Sequence, residues 1–89
     1  MKLNLSHILV RHAYEAEDVQ RQLKRGVAFE ELARKFSTCS SAPVGGALGL
    51  VDLRRLDPDF AEAAQKLAPD EISPIVRTKF GYHLVKRLS

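Results

Sequence analysis

Between Phe36 and Leu50 the chain reads Phe-Ser-Thr-Cys-Ser-Ser-Ala-Pro-Val-Gly-Gly-Ala-Leu-Gly-Leu, and this stretch restricts the fold more than any other. Its serines, Pro43 and glycines forbid both a continuous helix and a regular strand. The segments on its two sides must therefore be separate elements joined by an irregular connection. The stretch also holds Cys39, the single cysteine of the chain. Connections tied to rigid elements at both ends carry a disproportionate share of functional groups. The expectation is that this loop brings Cys39 beside His7 and His83, which lie in strand-like runs, so that the three line one cleft.

The flanking patterns define those elements. Leu3 to Arg11 predicts a strand, and the apolar run Ile8-Leu9-Val10 predicts burial on both faces, hence a central position in a sheet. Ala16, Val19 and Leu23 recur at helical spacing from Glu15 to Arg25, with Gly26 as the cap. A second helix begins near Ala28, its stripe being Phe29, Leu32, Ala33 and Phe36. After the loop, Leu48 to Leu53 predicts a strand in which Gly49 marks a bulge. Asp57-Pro58 is the cap and first residue of a third helix with Phe60, Ala64 and Leu67 inward and Pro69 as its stop. Glu71 to Pro74 predicts a turn, Ile75 to Thr78 a short strand, Lys79-Phe80-Gly81 a reversal, and Tyr82 to Leu88 a last strand with His83, Val85 and Arg87 on one face. Strand, two helices, strand, helix and two strands predict an α+β domain with a small, largely antiparallel sheet.

Residues 1–89 suffice for one domain, expected to bury roughly 60 to 65 per cent of its unfolded surface. With 45% hydrophobic and 28% charged residues the chain is neither disordered nor membrane-embedded. The N-terminal alternation of Leu3, Leu5, His7 and Leu9 with Asn4 and Ser6 lacks the apolar run of a signal peptide. One cysteine cannot form an internal disulfide, so a reducing, cytoplasmic setting is expected, or an exported one if the chain is cut from a larger protein.

The net charge of +3 is spread in short pairs such as Lys24-Arg25 and Arg54-Arg55, without interleaved aromatics, so no nucleic-acid partner is expected. Glu17 with Arg21, Glu30 with Arg34, Glu31 with Lys35 and Glu62 with Lys66 have the spacing of solvated helix faces. No C-x-x-C or H-x-x-x-H spacing is present, so no metal or other cofactor is expected. A thiol and histidine also suggest a cysteine-protease pair, but so short a chain leaves little room for subsites and an oxyanion hole. His7 and His83 as satisfied core histidines, and Leu56 and Phe60 as plain core, are the competing structural reading.

Four blocks in order resemble the parvulin-type peptidyl-prolyl cis/trans isomerases: Ser6-His7-Ile8-Leu9-Val10; Phe29-Glu30-Glu31-Leu32-Ala33 followed by Phe36-Ser37-Thr38-Cys39-Ser40; Gly45-Gly46-Ala47-Leu48-Gly49; and Ser73-Pro74-Ile75-Val76-Arg77-Thr78-Lys79-Phe80-Gly81-Tyr82-His83. The resemblance implies a four-stranded sheet flanked by helices, with a short helical turn before the second strand. It implies a catalytic group of His7, Cys39, Thr78 and His83, and a proline pocket walled by Leu48, Leu56 and Phe60. It implies X–Pro segments of unfolded or flexible polypeptides as partners, and assistance to folding as the role; a small domain of this kind needs no partner copy, so a monomer is expected. A non-catalytic peptide-binding or chaperone module of a larger foldase is the alternative. Leu56 stands where methionine is frequent in the family. Only Arg11-His12-Ala13-Tyr14 separates the first strand from its helix, where phosphate-selective members carry a longer basic loop, so phosphate selectivity is not expected.

Overall fold

The computed structural model describes all residues from Met1 to Ser89. Strands β1 (Lys2–Val10), β2 (Ala47–Asp52), β3 (Val76–Thr78) and β4 (Gly81–Arg87) form one antiparallel sheet in the order β2-β1-β4-β3. Helices α1 (Ala13–Lys24) and α2 (Phe29–Phe36) follow β1, and α3 (Pro58–Gln65) follows β2. Single 3-10 turns at Ala42–Val44 and Leu53–Arg55 bracket β2. None of the helices is long and apolar enough to cross a membrane.

The sheet has a core on each face, which is why β1 buries residues on both of its sides from Leu5 to Ile8. Ile8, Val10 and Leu84 pack against Ala16, Val19, Phe29, Leu32 and Ala33 of α1 and α2. Leu3, Leu5 and Val85 pack against Phe60, Ala64 and Leu67 at α3. Alternation along a strand then assigns every residue a layer. His7 and His83 share the α3 face with Leu5 and Val85.

The expected punctuation holds at most joints. Gly26 adopts a positive φ of 93° one residue beyond α1, whose cap is Arg25, and the Asp57 side chain accepts from the Asp59 N–H at 2.9 Å with Pro58 at the first helical position. The bulge expected at Gly49 appears where the β1–β2 register shifts: Leu5 faces Gly49 and Ser6 faces Ala47, leaving Leu48 without a cross-strand partner.

Three expectations are corrected. Helix α3 ends at Gln65, capped by Lys66, well before Pro69, because Leu67 N–H already turns back to the Ala64 carbonyl. Glu71 to Ser73 is not simply a turn but runs beside β4, with Ile72 bridging Lys86 and the Ser73 N–H bonding the Val85 carbonyl at 2.8 Å. Of the four charge pairs expected along the helices, only Glu62–Lys66 closes, at 3.2 Å; Arg21 takes Asp18 instead, at 3.3 Å, and Glu30 faces Lys86 across to the sheet, at 3.7 Å. Long exposed side chains gain little from any one such pairing, so local geometry decides among them.

Candidate active site

Antiparallel pairing of β1 with β4 sets His7 opposite Val85 and Leu9 opposite His83. The two histidines are therefore diagonal neighbours on one face, close enough for their rings to touch. His7 Nδ1 lies 3.2 Å from His83 Nδ1, and Thr78 Oγ1 lies 2.7 Å from His83 Nε2. The Thr78 oxygen also accepts the Phe80 N–H at 3.1 Å. All three side chains are buried, and His7 Nε2, at the far end of the relay, has no hydrogen-bond partner. The Phe60 ring stands edge-on to both imidazoles, with centroids 5.6 Å from His7 and 5.2 Å from His83.

Burial, and to a smaller extent the neighbouring His83, lowers the pKa of His7 to about 4. Burial lowers His83 as well, opposed by the charge of Asp57. Near neutral pH both rings are therefore uncharged, each with one N–H and one lone pair. A single proton then occupies the Nδ1–Nδ1 link. If Thr78 donates to His83, His83 donates to His7 and His7 Nε2 carries a hydrogen; if the relay runs the other way, Nε2 presents a lone pair.

The Cys39 loop is stitched to this pair through the strand between them. Ser37 Oγ accepts from the Leu9 N–H at 3.1 Å and from the Cys39 N–H at 3.3 Å, while the Thr38 N–H bonds the Leu9 carbonyl at 2.8 Å. Because Leu9 is the register partner of His83, the stitching holds Cys39 at the His83 end of β1. At its other end the loop closes on His7, whose N–H bonds the Gly46 carbonyl at 2.9 Å. A Cβ at Gly46 would run into the His7 carbonyl, and its φ is 81°, so only glycine fits this approach. Burial pushes the Cys39 thiol up, but hydrogen bonding from Ser41, and then from Ser40, outweighs it and leaves the thiol below its ordinary value.

These elements enclose an open cleft of about 270 Å³ lined by His7, Leu9, Cys39, Leu48, Leu56, Asp57, Phe60, Phe80 and His83. His7, His83, Cys39, Leu48, Leu56 and Phe60 thus meet in one place, and Thr78 lies behind, bonded to His83. Leu9, Asp57 and Phe80 were missed. Leu9 was legible, since it continues the alternation that carries His7. Asp57 was absorbed by its capping role, and Phe80 by its place in a reversal, although it is 62% exposed. No three His, Cys, Asp or Glu side chains are grouped so as to hold a metal ion.

Comparison with known proteins finds relatives along nearly the whole chain. The family pattern described as a rotamase, PPIC-type PPIase domain, matches residues 7–89. The foldase protein PrsA of Bacillus subtilis is 45% identical over 87 residues, covering 97% of this chain but 30% of that protein. The solution structure of NmPin, the parvulin of Nitrosopumilus maritimus, superposes with a TM-score of 0.87 at 38% identity, covering 99% of this chain and 96% of that one. A Campylobacter jejuni structure, from work describing PEB4 and the periplasmic protein Cj1289 as SurA-like chaperones, gives a TM-score of 0.92 at 33% identity, covering 99% of this chain and 38% of that one. The chain thus spans about a third of the curated foldase it matches.

Proposed function

The chain belongs to the PPIC-type family of peptidyl-prolyl isomerase (rotamase) domains, and from that premise we propose that residues 1–89 act as one isomerase unit on X–Pro bonds of unfolded or flexible clients. The observation that supports this reading most is the imidazole pair, anchored by Thr78, sharing a predominantly apolar cleft with Cys39 and Phe60.

Rotation about an X–Pro bond faces a barrier of about 18 to 20 kcal/mol because it abolishes amide resonance. Raising the uncatalysed rate to about a hundred per second takes on the order of 5 to 6 kcal/mol. Preferential binding of the twisted amide supplies this without a covalent step. The twisted form has lost its delocalisation and is less polar than the planar one, so it is favoured by a dry wall. Leu48, Leu56 and Phe60 provide that wall and grip the pyrrolidine ring while the preceding carbonyl swings. A prearranged donor then meets the prolyl nitrogen or the carbonyl as each leaves the amide plane. The histidine relay holds its rings in fixed orientation for that purpose, and Cys39 forms the polar side of the cleft. No cofactor enters this scheme.

The clients are X–Pro segments met during folding, and the unit works as a monomer. Relatives named foldase, and a similar structure from work on two SurA-like chaperones of which one is called periplasmic, favour an exported setting over the cytoplasmic one inferred from the lone cysteine. A single thiol is compatible with either compartment, since it has no partner within the chain.

The test is exchange spectroscopy on a short Ala-Pro peptide with the chain at substoichiometric amounts. Accelerated cis/trans exchange, lost when His83 and Cys39 are both replaced by alanine, is the expected result. Saturable binding without acceleration would instead assign the cleft to a peptide-binding module, a reading favoured by the chaperone names among the relatives.

A further inference from the structure

The cleft carries one formal charge that the isomerase scheme does not use. Of its nine lining residues five are apolar, Cys39 is polar, and the two histidines are kept uncharged by burial; the ninth is Asp57. Asp57 Oδ1 accepts the Asp59 N–H at 2.9 Å, which fixes the carboxylate at the head of α3. None of the four ion pairs of the molecule includes it. The basic residues near it in sequence make no ion pair with it. Arg54 is taken by Asp52 at 2.8 Å, and Arg55 lines a neighbouring cavity, with Lys2 and Asp52, that shares the Leu56 wall with this cleft. Lys79, beside the Phe80 wall, lies over the Phe80 ring at 5.3 Å. The field of Asp57 nonetheless reaches the cleft floor, since it is the charge that opposes the effect of burial on His83.

Resting on the isomerase reading of this same cleft, we propose that Asp57 is a specificity-determining residue that selects client segments with lysine or arginine directly beside proline. With Oδ1 engaged by the helix head, Oδ2 is left for the client. Proline in the Leu48–Leu56–Phe60 pocket places the adjoining residue at the cleft wall. A cationic side chain there meets an unpaired carboxylate bordered by apolar surface, where attraction is less diluted by water than on an open face. An acidic one meets repulsion, and an uncharged one leaves the carboxylate partly dehydrated without a partner.

The experiment uses X–Pro peptides with lysine, glutamine or glutamate immediately before proline, and a second set with the same residues immediately after it. Dissociation constants from chemical-shift titration and kcat/KM from exchange are compared for the natural chain and Asp57→Asn, since asparagine still caps the helix. In at least one set lysine is expected to exceed glutamate by about fivefold at low salt, the advantage shrinking as salt is raised. In Asp57→Asn the ratio falls to about one. Equal treatment of lysine and glutamate by the natural chain, or an unchanged ratio in Asp57→Asn, overturns the proposal. Should Asp57→Asn fail to fold, Asp57→Ser, also a capping residue, takes its place. Lysine preference in binding without accelerated exchange keeps the role of Asp57 and overturns the isomerase reading; accelerated exchange without preference does the reverse.

Discussion

His7 stands at the end of the hydrogen-bonded relay as an uncharged ring in a place that resists its charging. Its pKa is about 4 in the folded chain against 6.5 for an exposed imidazole, so between those values the unfolded chain binds more protons and stability rises with pH. The stabilising contribution is complete above about pH 6.5 and is lost as pH falls toward 4, an effect on the order of 3 kcal/mol. Urea midpoints at pH 7 and pH 4.5 should show this loss, and His7→Gln should remove that part of the slope; an identical slope in the variant would place the titration elsewhere. Thr78→Val keeps the shape of the side chain while deleting the oxygen that bonds His83 and accepts the Phe80 N–H. A stability cost of about 1 to 2 kcal/mol is expected. The accompanying fall in exchange catalysis should lie mainly in kcat, since the proline walls are untouched. Cys39→Asp should leave measurable isomerase activity, because a polar wall needs no thiol chemistry; complete loss of catalysis in a folded variant would assign the sulfur a more direct part.

The elements were legible where chain chemistry is local. Asp57-Pro58 announces a helix by supplying an acceptor where N–H groups are free and a residue whose φ already suits the first turn. The alternation of β1 places His7 correctly because its period of two cannot slip without exposing Leu3 and Leu5. What the pattern did not reveal depends on partners distant in sequence. The Glu71 to Ser73 segment takes its course from β4: after a turn in which Asp70 adopts a φ of 69° and its N–H bonds the Arg87 carbonyl, Ile72 bridges Lys86 and the Ser73 N–H bonds the Val85 carbonyl, partners that no window around residue 72 contains. The end of α3 is likewise set by its own backbone turning at Leu67 rather than by the proline beyond. The loop from Ser37 to Gly46 gives the sharpest test at this scale. Gly46→Ala forces a methyl group against the His7 carbonyl at a positive φ and should cost about 2 kcal/mol or more, whereas Gly26→Ala, with open space around it, should cost only about 1 kcal/mol. Thermal unfolding of the two variants compares them directly, and equal losses would mean that the loop yields at Gly46.

Across the whole molecule, stability is concentrated at β1 and β4, the only strands paired on both edges and packed on both faces. Native-state amide exchange should therefore be slowest at Leu5, Ile8 and Leu84 and much faster along β3, which has one neighbour and three residues; comparable protection in β3 would contradict this ranking. The four-stranded α+β architecture was readable from the order of patterns alone, while the convergence of six lining side chains on one cleft was readable only by way of the family resemblance. Side chains 76 residues apart in sequence, such as His7 and His83, meet because of strand register, and register is a property of the folded sheet. That division between paired inner strands and outlying connections separates two inheritances. The imidazoles hang from the part of the molecule least free to change, whereas Cys39, Asp57 and Phe80 come from segments that join the elements. Descendants of such a chain could retune which clients they accept by altering these junctions, leaving the machinery that turns the bond as their ancestor had it.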